Sequence, residues 1–252
     1  MTEICALASG SNGNCYYIGN DNEAVLIDAG IYYKQLNERL KHAGLDKNKI
    51  KAIFISHEHN DHVKGARVIS KKLKIPVFYT KKTFKKCYDK NKADNYVFFE
   101  PGKEYALNNI LIYPFIKPHD AVDPCSFRIE TEGKNIGVIT DTGEANYILQ
   151  NEFSKCDAVF LESNYDEEML KKGPYPDYLK QRVKSSKGHL SNIQAKELTI
   201  NFASPKLKII FLSHISAINN SRDIISETFK ELSETYTILF TYRQKASTVA
   251  IL

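Results

Sequence analysis

His57-Glu58-His59-Asn60-Asp61-His62 packs three imidazoles and a metal-binding carboxylate into six residues, directly after Lys51–Ile55, a run apolar enough for a buried strand. Imidazole and carboxylate together suit zinc, manganese or iron, and a loop leaving a strand end can aim its side chains at two neighbouring ions. The bland alternative is a solvated polar loop or a helix cap, which seldom concentrates donors this densely. Val63 to Lys74 then follows with helical spacing, so the order is strand, ligand loop, helix.

Upstream, apolar strand cores are expected at Glu3–Leu7, Cys15–Ile18 and Ala24–Ile27, with Ser9–Asn14 as a tight loop of residues that tolerate positive φ. Tyr33, Leu36, Leu40 and Ala43 recur at helical spacing and Gly44 caps them; His42 sits at that helix end, where the dipole favours a histidine, and carries no chemistry. Downstream, strands are expected at Val77–Tyr79, Tyr96–Phe99, Ile110–Phe115, Ser126–Glu130 and Asn135–Thr140. A helix near Glu144–Asn151, a strand at Ala158–Leu161, and helices at Tyr178–Val183 and Asn192–Phe202 come next, the last with Ser191 and Gln194 as a capping box. The chain closes with a strand Lys208–Leu212, a helix Ile218–Leu232, and strands Thr237–Thr241 and Thr248–Leu252. No repeat or low-complexity segment interrupts this pattern.

With 252 residues, 42% hydrophobic and 26% charged, the composition is that of an ordinary globular chain, and one domain spanning 1–252 is expected. The first residues lack a basic start followed by a long apolar stretch, and no membrane span is read elsewhere, which points to the cytoplasm. Five cysteines, odd in number and without a C-x-x-C pair, read as reduced and buried. The net charge of +5 is unevenly spread: eleven of the 35 basic residues lie between Lys64 and Lys92 with one acid, leaving 24 basic against 29 acidic residues elsewhere. Phe78, Tyr79, Phe84 and Tyr88 are interleaved with those lysines. The segment is either a face that tracks a phosphate backbone and stacks bases, or a solvated lysine face over core aromatics.

The H-x-H-x-D-H run resembles the signature of the metallo-β-lactamase superfamily. Leu26-Ile27-Asp28-Ala29-Gly30, Pro118-His119, Thr140-Asp141-Thr142 and Leu212-Ser213-His214 resemble its other motifs, in the family's order and at strand ends. The resemblance implies an α/β fold, a four-layer αβ/βα sandwich of two mixed sheets with helices outside and the site at the strand ends. It also implies that His57, His59 and His119 hold one divalent metal ion, that Asp61, His62 and His214 hold a second, and that Asp141 bridges them. Zinc or manganese, or else iron, would fill such sites. Five neutral ligands and two carboxylates against two divalent cations leave net positive charge, which suits phosphate esters. Asp28 reads either as a brace for a ligand or as a plain turn aspartate. Asp120 and Asp123 read as residues that shape the loop around His119.

Glu162 and His189 resemble an acid and a histidine that assist proton transfer to the leaving group in the phosphodiesterase branches of the superfamily. Residues 8–14, Leu161-Glu-Ser-Asn164, Gly173-Pro-Tyr-Pro176 and Gly188-His-Leu-Ser-Asn192 together resemble the YycJ or WalJ-type hydrolases of bacteria. That implies a nuclease, including 5′ to 3′ DNA exonuclease action, with DNA as partner and RNA as a further candidate. Tyr165 stands where many members carry histidine, so no metal or phosphate role is carried over to it. Two other functions fit parts of the pattern: hydrolysis of a small ester, thioester or lactam, and nucleic-acid binding without catalysis around structural metals. The ligand set argues against the last, since structural sites are usually closed and rich in cysteine.

Overall fold

In strand β1 (Glu3–Ala8), Ile4 and Ala6 face one way and Cys5 and Leu7 the other, and all four are fully buried. A strand covered on both faces needs a layer on each side, which is why its sequence reads as a continuous apolar run. The same holds for β2 (Cys15–Gly19), β3 (Ala24–Ile27) and most of β4 (Ile50–Phe54). In the computed structural model, which describes residues 1–252, these strands join β5 (Val77–Tyr79) and β6 (Tyr96–Phe98) in one sheet. The second sheet holds β7 (Tyr105–Leu107), β8 (Ile110–Ile116), β9 (Cys125–Thr131), β10 (Lys134–Ile139), β11 (Ala158–Glu162), β12 (Ile209–Ser213) and β13 (Thr237–Phe240). The chain then returns to the first sheet, where β14 (Ala250–Ile251) pairs antiparallel with β1. Each sheet is antiparallel in one half and parallel in the other.

Three apolar clusters account for the layers. Ile4, Tyr16, Ile27, Phe54, Phe127 and Phe160 fill the space between the sheets. Outside the first sheet, Leu7, Leu26 and Ile53 pack on helices α1 (Tyr33–Ala43) and α3 (Ala66–Leu73), with α2 (Asn60–Val63) formed from the histidine run itself. Outside the second, Val159, Leu161 and Ile210 pack on α5 (Tyr147–Phe153), α8 (Asn192–Phe202) and α9 (Arg222–Thr228). The result is the four-layer αβ/βα sandwich that the motifs imply. No helix is long and apolar enough to cross a membrane.

Several elements differ from the sequence pattern. The helix expected at Val63–Lys74 breaks at Gly65, whose N–H bonds Ala29 O; a Cβ there would lie 1.9 Å from Ile31 O. The helix expected at Ile218–Leu232 shrinks to α9 and a 3₁₀ turn, Glu231–Glu234. Residues 216–220 are drawn off as a bracket, with Asn220 Nδ2 donating to Ser163 O and Asn164 O and Ser216 Oγ accepting from Asn219 N. The last strand is only two residues long. Helices α4 (Lys81–Lys86) and α6 (Glu167–Lys172) and strand β7 were not expected, being short and poor in periodic apolar residues; α7 (Asp177–Lys184) was. All five cysteines are buried and free, and burial pushes the thiols up, to about 11 for Cys5 and about 12 for Cys87, Cys125 and Cys156.

Three loops meet where the strands of the first sheet end. Asn14 N donates to Asp61 O, Gly30 N to Asn14 O and Ala29 N to His62 O, each at 2.8 Å. Gly30 makes this approach possible, since a Cβ there would fall 1.5 Å from Asp61 O. Gly30→Ala must therefore push the loops apart, at a cost of about 3 kcal/mol. For a chain of this size that lowers Tm by roughly 6–12 °C in scanning calorimetry, whereas a Tm within about 2 °C of the parent would show that the loops are not locked together.

Candidate metal centre

Every implied ligand lies on a segment that leaves the same edge of the two sheets. Asp28 follows β3, His57 to His62 follow β4, His119 follows β8, Asp141 follows β10 and His214 follows β12, while Glu162 is the last residue of β11. Parallel strands put their carboxyl ends on one side, so residues far apart in sequence are delivered to one place. Asp28, Asp141 and His214 adopt left-handed backbone, with φ of 64°, 55° and 53°. Such turns cost about 1–3 kcal/mol each in residues other than glycine and concentrate at sites where the side chain must be aimed.

The donor atoms form three mutually close groups: His57, His59 and His119; His57, His62 and Asp141; and Asp141, Glu162, His189 and His214. The first is one implied ligand set in full. The second set is linked in steps rather than gathered into one group. His62 Nε2 lies 3.4 Å from Asp141 Oδ2 and 3.5 Å from Asp61 Oδ2, and His214 Nδ1 lies 3.3 Å from Asp141 Oδ1. Asp141 is thus common to both sides.

Three buried polar atoms here have no hydrogen-bond partner: His119 Nε2, His214 Nε2 and Asp141 Oδ2. Each such atom ordinarily costs about 1–3 kcal/mol, and all three carry lone pairs or can present them. In the first group His57 Nε2 and His59 Nδ1 come within 3.1 Å of one another. Buried nitrogen and oxygen donors converging without partners are what divalent cations require, and the clusters fit them.

The charges are arranged to match. Burial disfavours protonated His62, yet the Asp28, Asp141 and Asp61 carboxylates outweigh it and hold its pKa well above the usual histidine value. His57, buried beside His62, Lys117 and His119, is held well below it. Burial would raise Asp141, but His214, His62, Lys117 and His119 keep its carboxyl well below the usual range. The pocket therefore favours the ionised form of Asp141.

The supporting residues are as specific as the ligands. Asp28 braces rather than merely turning the chain: its Oδ2 lies 2.7 Å from His62 Nδ1, and its Oδ1 accepts from Ser56 N at 2.8 Å. When His62 gives up its second proton, as a metal ligand must, that contact selects the tautomer in which Nε2 carries the lone pair. Ser56 Oγ reaches Asp28 and the Nδ1 atoms of His57 and His62. Asn14 Nδ2 lies 3.0 Å from His62 Nε2 and 3.3 Å from Asp61 Oδ2, and buried Lys117 donates to Thr140 O at 2.6 Å. Asn14, Ser56 and Lys117 were not singled out from sequence. The only signal was their position, inside the Ser9–Asn14 loop or directly before a ligand segment.

Glu162 is no surface acid; it is fully buried. Its Oε1 accepts from His189 Nδ1 at 2.8 Å and His214 Nδ1 at 2.9 Å, and its Oε2 from Thr142 N and Leu190 N. Burial opposes ionisation, but His189 and His214 dominate and hold it at about 2. His189, 21% exposed, is the member of the pair that faces the opening; burial is outweighed by Glu162 and Asp141, and its pKa is raised. Tyr165 packs with Leu170 and Val183 under α6 and α7, which accounts for an apolar ring at that position. Asp120 accepts from Arg182 and lies 3.4 Å from His119 Nε2, and Asp123 pairs with Lys82, so both shape the loop. His42 bonds only its own helix, at Glu38 O. In the lysine-rich segment, Tyr79 belongs to the core while Tyr88 is exposed among solvated lysines.

The family model described as the metallo-beta-lactamase superfamily matches residues 8–174. The chain is 32% identical over 231 residues to exodeoxyribonuclease YycJ of Bacillus anthracis, covering 90% of this chain and 88% of that protein. It is 33% identical over 227 residues to exodeoxyribonuclease WalJ of Streptococcus pneumoniae serotype 2, covering 88% and 84%. Among solved structures, the metallo-beta-lactamase fold protein YhfI from Bacillus subtilis superposes with a TM-score of 0.73 at 14% identity, over 98% of this chain and 99% of that one.

If Asp28 orients His62 for a metal ion, Asp28→Asn weakens binding of that ion by roughly 10- to 100-fold. Competition with a chromogenic chelator measures this, and unchanged affinity would show that the contact serves only the turn.

Proposed function

Because the chain belongs to the metallo-β-lactamase superfamily, we propose that it is a metal-dependent nuclease that degrades DNA from the 5′ end with two divalent cations, zinc or manganese, at its strand-end site. The observation that carries this is the shared carboxylate: buried Asp141 stands between His62 and His214 with one oxygen unpaired, beside the His57, His59 and His119 group. In this reading His57, His59 and His119 hold one ion, Asp61, His62 and His214 the other, and Asp141 both. The names of the two curated relatives support the nuclease activity and DNA as substrate. Five buried free thiols and the absence of a membrane-crossing helix support a place in the cytoplasm.

Bound at this centre, two divalent cations supply an activated water at neutral pH and offset the charge that builds on the phosphoryl oxygens. The remaining work falls to the chain itself. Asp28, Ser56 and Asn14 fix the orientation of His62 and Asp61 before substrate arrives, so no reorganisation is needed during reaction. His189 is the proton donor to the leaving oxygen, because it faces the opening and the Glu162 carboxylate keeps it protonated toward neutral pH. Glu162 acts through His189 and His214; both of its oxygens already accept two hydrogen bonds each, which leaves it a positioning residue.

Asp61 tests the two-ion assignment, being the implied ligand most exposed and least needed for packing among the carboxylates, at 23% against 4% for Asp141. In metal-defined buffer, Asp61→Ala is expected to cut turnover of end-labelled single-stranded DNA by about 100-fold or more, the scale of losing one transition-state stabiliser. Undiminished cleavage removes the second ion. With the parent protein, a 5′ label released first as mononucleotide supports the polarity, and early release of a 3′ label reverses it.

A further inference from the structure

Beyond His214 the chain leaves the second sheet along residues 215–221 and comes back from β13 through Thr241–Lys245, and these segments enclose a cleft of about 460 Å³. That size is typical of ligand pockets, which run to roughly 300–1,000 Å³. Its charge is one-sided. Arg222, Arg243 and Lys245 line it, with serine hydroxyls and Asn220, and no carboxylate does. The Arg222 guanidinium lies 4.2 Å from the centre of the Tyr242 ring and the Lys245 ammonium 4.3 Å from the same ring, so one aromatic side chain holds two like charges that repel each other.

The cleft adjoins the backbone that carries His214. Ser9 lines it, and Ser9 Oγ accepts the backbone N–H of His214 at 2.7 Å. Arg243 donates to the carbonyl of Ile215, the residue after His214, at 3.1 Å, and reaches Ser11 in the loop whose Asn14 touches Asp61 and His62. In the lysine-rich segment Arg67, Lys82 and Lys92 are matched with Asp94, Asp123 and Asp89, the other eight basic residues have no carboxylate partner, and none of the eleven lines this cleft. Unmatched cations gathered around a ring, in a cleft whose lining begins at the residue after His214, are suited to an anion.

We propose that this cleft is a substrate subsite that takes a phosphate of the nucleic-acid strand next to the bond at the metal centre, with Arg222 and Lys245 as its contacts. The subsite rests on the nuclease reading for the identity of its ligand. Its phosphate lies on the His214 side, so it orders the strand relative to the scissile bond.

The test compares two charge reversals that alter net charge equally: R222E/K245E in the cleft and K71E/K72E on the exposed face of α3. The metal-loaded, full-length proteins are titrated into a short, 3′-fluorescent single-stranded DNA with phosphorothioate linkages, which resists cleavage. R222E/K245E is expected to weaken binding at least about tenfold more than K71E/K72E, and to lower the slope of log affinity against log salt by about 0.7, the value for one phosphate contact on a single strand. The milder R222Q/K245Q should move both readouts the same way with an unchanged melting curve. Equal losses in the two reversals, an unchanged slope, or a parent protein that does not bind the strand overturn the subsite. DNA binding with these responses but no DNA cleavage in manganese or zinc leaves the subsite standing and removes the nuclease reading.

Discussion

A carboxylate with one oxygen unpaired, buried among imidazoles, is the constraint around which this molecule is arranged. Asp141 is buried, its carboxyl is held ionised by His214, His62, Lys117 and His119, and it offers a free oxygen where water does not reach. A buried ion in that state is costly unless compensated, and protein groups alone leave His119 and His214 equally unpartnered. Divalent cations held here would satisfy all three. Loading of the site would then be linked to folding of the strand ends, because the ions would neutralise a charge that the fold buries.

That arrangement is made possible by the two-sheet topology. The loops after β3, β4, β8, β10 and β12 all emerge at one edge, and three of them turn through left-handed backbone within two residues of the strand. Gly30 and Gly65 allow the loops of the first sheet to touch backbone to backbone, so the histidine run is pinned at Asp61 O and His62 O before its side chains do anything. Around the ligands, Asp28, Ser56, Asn14 and Glu162 select tautomers and orientations. The site is rigid because its supports are strand ends and buried polar bonds rather than mobile loop tips.

Much of this was legible in the chain. The run from His57 to His62 stands out because its donors are dense and sit directly after a run that reads as a buried strand, whereas Asp141 and His214 were legible only through the resemblance of their motifs, in the family's order and at strand ends. The continuous apolar runs of β1 to β4 are equally local. What was not legible depends on contacts distant in sequence. Glu162 was legible only through its resemblance to the phosphodiesterase branches; its full burial and its position between His189 and His214, 27 and 52 residues away, were not. Gly65 breaks a helix that its own neighbours favour, because Ala29 and Ile31 claim its backbone space. Arg222 and Lys245 share a ring only through the return of β13, and their periodicity gives no hint of it.

The central claim is that this cluster holds two divalent ions on a shared carboxylate. Calorimetric titration of chelator-stripped protein with manganese or zinc tests it most directly. The account predicts saturation at two equivalents per chain, with a rise in thermal stability that follows occupancy. Saturation at one equivalent, or no binding at all, would contradict it.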